Sequence, residues 1–281
     1  MKKKKENSTS IFPDLETYIR ILKETNPLRE SILYSVIQAL NLPDGSRGLD
    51  AGCGIGLQTL LLAKEVEPHG HITGLDITPE FIQYGNKIVM ERGLSNQITF
   101  REGDAANLPF EDNTFDWVWS SDCVGYPVTD NPIQLIKELK RVVKPGGTLA
   151  ILAWSSQQLL PGYPLLEARL NAVSSGYSRL IKGKKPEQHF LRALGWFADA
   201  GFQEFSAKTF VSDFQAPLNN DIVVGLGSLF QMLWGEPLPE LAKKDWAEFE
   251  RLCLPESPDF ILNEPNYYAF FTYSMFFGKA A

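Results

Sequence analysis

The chain has 281 residues, of which 44% are hydrophobic and 22% charged, a composition that fits one sizeable core and excludes a disordered chain. Lys and Arg number 27 against 34 Asp and Glu, for a net charge of −7, which argues against nucleic acid as a partner. No stretch approaches the roughly 18 apolar residues of a membrane span.

The N-terminal part is predicted to hold a tail and a helical cap. Residues 1–10 carry a basic run without an apolar stretch behind it, so we expect a disordered tail and no secretory signal. Residues 11–46 are expected to form two helices, because apolar residues recur at helical spacing. Asn26-Pro27 is expected to begin the second helix, with Asn26 as its cap. Three widely spaced cysteines without metal-ligand pairing, Cys53, Cys123 and Cys253, fit a reducing cytoplasm.

From residue 47 to residue 155 strands alternate with helices. Strands are predicted over 47–50, 71–76, 97–102, 115–120 and 148–154, and helices over 57–66, 79–92 and 132–143. Parallel neighbours need a crossover of this length, so the pattern predicts an α/β fold with a Rossmann-like, doubly wound and mostly parallel sheet. Residues 156–281 are less regular: we expect a helix over 188–200, strands over 204–211 and 267–277, and a helical insertion between these strands. The many aromatic residues of this second half suggest a substrate-side lid, with ordinary core packing as the alternative.

A glycine-rich loop follows the first strand of this unit. Gly52, Gly54 and Gly56 alternate after Asp50 and flank Cys53, a spacing that lets a ligand lie against the backbone at the start of the next helix. A dinucleotide-binding loop would place its third glycine at position 57, which is a leucine. A carboxylate at position 50 suits a ligand with an ammonium and a sulfonium better than a pyrophosphate.

Acidic residues also follow the next two strands. Asp76 can accept hydrogen bonds from both hydroxyls of a ribose, and Asp104 can accept one from an adenine amino group. Ile77 and Ala105 are apolar and can sandwich the adenine ring. Ligands of open α/β sheets bind at this edge of the sheet, so the three acids predict a nucleoside site.

These segments resemble the class I S-adenosylmethionine-dependent methyltransferases, in the broad group that includes the ubiquinone and menaquinone methyltransferases. The resemblance covers about residues 47–153 and is carried by the stretches 49–56, 74–77, 103–110, 115–116 and 141–147. It implies a seven-stranded sheet with an antiparallel last strand, S-adenosylmethionine as cofactor and S-adenosylhomocysteine as product. It also implies that Ser121 borders the sulfonium and that Tyr18 or Tyr34 closes the site from the N-terminal helices. The family commonly joins its last two strands by a hairpin, whereas about fifty residues separate them here.

The catalytic side chains are harder to predict, because the cofactor supplies the reactive group. Asp122, Tyr126 and His189 are the candidates for a base or an orienting group, each with a structural alternative as a cap or a pocket wall. The chain has Ser-Asp-Cys-Val at 121–124 instead of the Asn/Asp-Pro-Pro-aromatic motif of enzymes that methylate amino groups of adenine or glutamine. We therefore expect a small-molecule acceptor, with C- or O-methylation favoured. A non-catalytic cofactor-binding protein and an NAD-dependent oxidoreductase are the alternatives; the oligomeric state stays open.

Overall fold

A seven-stranded sheet lies at the centre of the computed structural model, which describes residues 14–124, 131–173, 185–236 and 239–281. The strand order is β3-β2-β1-β4-β5-β7-β6. The strands are β1 (Arg47–Ala51), β2 (His71–Asp76), β3 (Ile98–Glu102), β4 (Phe115–Ser121), β5 (Val143–Gln158), β6 (Glu204–Gln215) and β7 (Tyr268–Lys279). Strands β1 to β5 pair in parallel, and β7 runs antiparallel to both β5 and β6. The predicted fold class is confirmed, including the antiparallel last strand.

The described helices are α1 (Leu15–Glu24), α2 (Asn26–Leu40), α3 (Leu57–Glu65), α4 (Pro79–Glu91), α5 (Pro132–Arg141), α6 (Pro164–Val173), α7 (Ala193–Asp199), α8 (Asn220–Trp234) and α9 (Lys243–Cys253). They cover both faces of the sheet, and β4 shows why. Its Trp117 and Trp119 pack into a core shared with α2, α3 and α8, whereas Phe115 and Val118 pack into a second core with α5 and α7. Trp117, Val118 and Trp119 thus alternate between the two faces, as is typical of a sheet buried on both sides. The pairing of β4 with β5 is irregular between Phe115 and Trp117, and Phe115 lies on the same side as Val118.

The two N-terminal helices almost join. Thr25 is the residue between them, and its hydroxyl donates a hydrogen bond to the carbonyl oxygen of Ile21 at 2.8 Å. Asn26, predicted as the cap of the second helix, is instead its first residue. Helix α8 packs against both α1 and α2, and β6 also packs against α2. The segment between β6 and β7 therefore supports the N-terminal helices from outside.

Several elements differ from those predicted. Strand β5 continues to Gln158, four residues beyond its expected end. The helix expected over 188–200 is replaced by two 3-10 turns, Pro186–Gln188 and Phe190–Arg192, followed by the short α7. Helix α6 was not predicted. The predicted tail, residues 1–10, lies outside the described residues. None of the helices in the described ranges combines the length and apolar character that a bilayer crossing requires.

Candidate active site

A cavity of about 280 Å³ opens at the carboxyl ends of the central strands. The sheet order reverses there between β1 and β4, and such a switch point is where open α/β sheets bind ligands. Most residues predicted to bind the cofactor line this cavity: Tyr18, Gly52, Cys53, Gly54, Asp76, Ile77, Asp104, Ala105 and Ser121. The structure therefore brings together residues that are more than one hundred positions apart in the sequence.

The glycine loop is fixed by hydrogen bonds to the neighbouring strand. The amides of Gly52 and Cys53 both donate to the carbonyl oxygen of Leu75, at 2.8 and 3.0 Å. Gly52 has φ +79°, and a Cβ there would lie 2.8 Å from the Sγ atom of Cys123. Gly54 has φ +54°, and a Cβ there would contact nothing within 4 Å. The loop thus requires glycine conformation at both positions, and at Gly54 the missing side chain leaves open space beside the cavity.

Gly56 and Asp50 lie behind this loop and do not line the cavity. Gly56 is the residue just before α3, and a Cβ there would clash with the ring of Phe100. Asp50 is 1% exposed, and its Oδ2 atom accepts a hydrogen bond from the Thr59 hydroxyl at 2.6 Å. Burial raises the pKa of Asp50 to about 7, with a further rise from the charge of Asp76 and an opposing effect of the Thr59 bond.

The Asp76 carboxylate accepts two backbone hydrogen bonds at the end of β2. Its Oδ2 atom accepts from the Gly54 amide and its Oδ1 atom from the Thr78 amide, both at 2.9 Å. A carboxylate oxygen can accept more than one hydrogen bond, so both oxygens keep capacity for a ligand. Ile77 follows with 65% of its surface exposed and lines the cavity.

The end of β3 provides the second acidic position. The Oδ1 atom of Asp104 accepts a hydrogen bond from the Ala106 amide at 2.8 Å, which turns the chain and leaves the side chain exposed. Ala105 is 7% exposed and packs in the core beneath it. Ile77 and Ala105, the two residues expected to flank an adenine ring, both reach the cavity from adjacent strands.

Residues after β4 form the innermost wall. The Nε2 atom of Gln58 donates to Ser121 Oγ at 3.2 Å, and its Oε1 atom accepts from Trp119 Nε1 at 3.1 Å. Sequence analysis missed Gln58, which lies in the first turn of the helix behind the glycine loop. This amide fixes the orientation of Ser121 and lines the cavity itself.

Asp122 is the only predicted catalytic residue that lines the cavity among those described. Its backbone has φ +50°, a conformation that an aspartate adopts at some cost. Its Oδ1 atom accepts from the Trp154 amide at 3.0 Å, and its Oδ2 atom accepts from the Tyr273 hydroxyl at 2.8 Å. Burial raises the pKa of Asp122, although Arg29 and these hydrogen bonds oppose the rise. Both oxygens are thus engaged in holding β5 and β7.

The structure does not bring the three catalytic candidates together. Tyr126 lies outside the described residues. His189 is not among the cavity residues: its Nδ1 atom accepts from the Leu191 amide at 3.3 Å, and its ring stacks on Phe190 at 4.6 Å. Burial lowers the pKa of His189. These contacts are those of a residue that caps a 3-10 turn.

The N-terminal helices close one side of the cavity, as the position of Tyr18 in α1 shows. Its ring lies 5.8 Å from that of Phe81, and burial raises the pKa of its hydroxyl. Tyr34, the other residue considered for this role, is 51% exposed and does not line the cavity. Helix α2 adds Arg29, which sequence analysis did not single out. Its position on the helix face that also carries Leu33 is the signal that could have found it.

Comparison with known proteins identifies the family of this chain. A family model described as a methyltransferase domain matches residues 49–151. The demethylmenaquinone methyltransferase of Geobacillus sp. (strain WCH70) is 30% identical over 187 residues, which cover 62% of this chain and 78% of the relative. The chain belongs to the class I S-adenosylmethionine-dependent methyltransferases. A second relative of the same name, from Staphylococcus haemolyticus (strain JCSC1435), is 28% identical over 223 residues, covering 74% of this chain and 90% of the relative.

Solved structures share the fold of this methyltransferase. An S-adenosylmethionine-dependent methyltransferase from Aquifex aeolicus has a TM-score of 0.51 at 23% identity. The match covers 69% of this chain and 92% of the Aquifex aeolicus chain. A geranyl diphosphate methyltransferase in complex with S-adenosylmethionine has a TM-score of 0.53 at 16% identity. The match covers 96% of this chain and 93% of the geranyl diphosphate methyltransferase. These likenesses show the fold. The cofactor, S-adenosylmethionine, follows from membership of the family, which the methyltransferase domain and the curated relatives show.

Proposed function

We propose that this methyltransferase transfers a methyl group from S-adenosylmethionine to a carbon or oxygen atom of a small, apolar or aromatic acceptor. The observation that carries the proposal is the cavity, where a glycine-lined cradle and the acids Asp76 and Asp104 meet an apolar wall of Leu22, Leu33 and Phe81. The curated relatives named demethylmenaquinone methyltransferase support a demethylated quinol as the first acceptor to test.

The cradle fits the nucleoside part of the cofactor. The open space at Gly54 admits a ligand next to the backbone, and Asp76 is held rigidly by two amides while its oxygens can still accept ribose hydroxyls. Asp104, Ile77 and Ala105 would hold the adenine. Gly52, Cys53 and Ser121 would border the methionine part. Asp50 and Gly56 would act from behind the loop, Asp50 by its hydrogen bond from Thr59 of α3 and Gly56 by its backbone conformation.

When bound, S-adenosylmethionine supplies a methyl group on a positively charged sulfur. The residues of this chain then have to orient the acceptor and exclude water, and such positioning is worth roughly 7–11 kcal/mol. We assign Asp122 to positioning, because its two oxygens already accept hydrogen bonds from Trp154 and Tyr273. Tyr18 would close the cavity from the cap. His189 stays a prediction without a contact to the cavity.

The residues that line the cavity also suggest a role for each of the three parts of the chain. We propose that residues 11–46 cap the cofactor, because α1 and α2 contribute Tyr18, Leu22, Asn26, Arg29 and Leu33 to the cavity. Residues 47–155 hold the cofactor. In the described part of 156–281 no residue lines the cavity, so this part would act as a support for the cap, through α8 and Tyr273.

A transfer assay with the purified chain tests the proposal. Methyl-labelled S-adenosylmethionine is incubated with a short-chain demethylated menaquinol, with the corresponding quinone, which lacks the electron-rich ring, and with adenosine. We expect label in the menaquinol and formation of S-adenosylhomocysteine. Saturable binding of the cofactor without transfer to the menaquinol would refute a quinol as the acceptor, and absence of cofactor binding would refute the assignment of the cavity.

A further inference from the structure

The hydrogen bonds around Gln58 run in one direction along the inner wall of the cavity. Trp119 Nε1 donates to Gln58 Oε1 at 3.1 Å, and Gln58 Nε2 donates to Ser121 Oγ at 3.2 Å. An indole N–H can only donate, so Trp119 fixes which end of the Gln58 amide carries the oxygen. The amide nitrogen therefore faces Ser121, and the Ser121 oxygen has to accept from it.

The hydroxyl proton of Ser121 is directed by the next residue in the chain. The Ser121 hydroxyl hydrogen-bonds to the carboxylate of Asp122. The Trp154 amide donates to the same carboxylate at 3.0 Å, and Arg29 lies within electrostatic range of it. A backbone amide only donates, and a nearby cation favours the ionised form of a carboxyl group. Asp122 therefore accepts this hydrogen bond, and Ser121 donates it.

One acceptor position remains on the Ser121 oxygen. A serine hydroxyl has one proton and two lone pairs. The proton goes to Asp122 and one lone pair goes to Gln58, which within the described ranges is the one residue that donates to this oxygen. Ser121 is only 8% exposed, and it lines the cavity. Its second lone pair is thus placed to accept a hydrogen bond from a ligand in the cavity, whereas its proton is already used.

An oxygen that can only accept distinguishes the reduced from the oxidised form of the proposed acceptor. Ser121 is the last residue of β4, the strand beside β1 and its glycine loop. A quinol has a hydroxyl group next to the ring carbon that can be methylated, and a hydroxyl can donate. A quinone has a carbonyl there, which only accepts, so the Ser121 oxygen would stay without a donor. A buried polar atom left unpaired in this way costs free energy.

We propose that Ser121 selects the acceptor by accepting a hydrogen bond from the acceptor hydroxyl next to the carbon that receives the methyl group. This inference rests on the proposed function and narrows it to acceptors with such a hydroxyl. Gln58 and Asp122 act through Ser121, since they fix the direction of its proton, and are positioning residues. Ser121 itself binds the acceptor and takes no part in a bond-making step.

Calorimetry on the full chain saturated with S-adenosylhomocysteine tests this contact, because that product has no methyl group to transfer. The ligands are a short-chain demethylated menaquinol and the two naphthols derived from it by replacing one hydroxyl with hydrogen. We expect the wild type to bind the menaquinol about 10-fold more tightly than the naphthol without the hydroxyl next to the methylated carbon. Ser121→Ala should abolish this preference and leave the preference over the other naphthol unchanged. Gln58→Met, which removes the orienting amide, should retain part of it.

Ser120→Ala is the matched control, since the Ser120 hydroxyl donates to the Ala51 carbonyl oxygen at 2.7 Å and does not line the cavity. It should keep the wild-type preference. Ser121→Ala should also keep the wild-type affinity for S-adenosylhomocysteine, and a 10-fold loss of that affinity would place Ser121 on the cofactor and overturn the inference.

A wild type that binds the menaquinol and this naphthol equally would overturn the inference and leave the proposed function intact. A wild type that binds S-adenosylhomocysteine but no menaquinol would overturn the proposed acceptor together with the inference. The wild-type comparison of the ligands stands even if Ser121→Ala does not fold.

Discussion

The Asp50 carboxyl should make this protein less stable as the pH rises towards neutrality. Burial raises the pKa of Asp50 from its ordinary value of 3.8 to about 7. Between these values the folded chain holds a proton that the unfolded chain has released, so stability falls with increasing pH. Above pH 7 the fold contains a buried carboxylate. At about 1.4 kcal/mol for each pKa unit, the full cost is roughly 4 kcal/mol.

Asp50→Asn removes this titration and keeps an oxygen for the Thr59 hydroxyl, which donates at 2.6 Å in the wild type. Relative to the wild type, the variant should gain about 2–3 kcal/mol more in free energy of unfolding at pH 8 than at pH 5. Urea unfolding curves at the two pH values measure this difference. Changes in packing caused by the amide affect both measurements equally, so they cancel.

Asp116→Asn is the control, because the pKa of Asp116 is shifted in the opposite direction to that of Asp50. Partial burial acts to raise the pKa of Asp116, but a hydrogen bond from Lys144 Nζ at 2.7 Å and one from the Arg47 amide at 2.8 Å hold it below its ordinary value. This stabilisation is present above the unfolded pKa and is lost only in acid. Asp116→Asn should therefore destabilise equally at pH 5 and pH 8. A pH-independent difference for Asp50→Asn would refute the buried-charge argument.

Three further predictions concern the cavity. Asp76→Asn should weaken S-adenosylhomocysteine binding by about 10- to 100-fold through the loss of a charge-assisted hydrogen bond to ribose, and unchanged affinity in calorimetry would exclude that role. Gly54→Val should abolish binding, whereas Gly146→Val, which also has positive φ and open space, should affect only stability; equal binding by both variants would contradict the cradle. Tyr273→Phe leaves the buried Asp122 one donor short and should cost about 1–3 kcal/mol of unfolding free energy, against almost none for the half-exposed Tyr268→Phe.

The central sheet could be predicted because its pattern is local. Strands β1 to β4 and their helices are marked by short apolar runs, and the glycine loop has a backbone requirement that the sequence displays. Asp76 and Asp104 could be placed at one edge because parallel strands end together. These positions need no knowledge of the second half of the chain.

The missed features depend on partners distant in sequence. Helix α6 carries Glu167, which is buried because its carboxylate accepts from the amides of Leu159 and Leu160, and a charged residue in a core stripe weakens the helical pattern. From the sequence alone Arg29 resembles an exposed helix residue, whereas in the fold Tyr273 of β7 lies beside it. From the sequence alone Asp122 resembles a free carboxylate, whereas in the fold it accepts hydrogen bonds from the Trp154 amide and the Tyr273 hydroxyl. Periodicity does not contain these tertiary contacts.

Strand β7 lies between β5 and β6, so the sheet can be completed only after β7 has been synthesised. Strand β6 has no hydrogen-bonded neighbour in the sheet until the later β7 enters the gap, and that same strand delivers Tyr273 to Asp122. A nascent chain halted before residue 268 would thus hold all its nucleoside-binding loops and still lack the Tyr273 hydroxyl that donates to Asp122 in the cavity wall. The position of Asp122 in the cavity wall therefore depends on β7, the strand that is synthesised last of the seven.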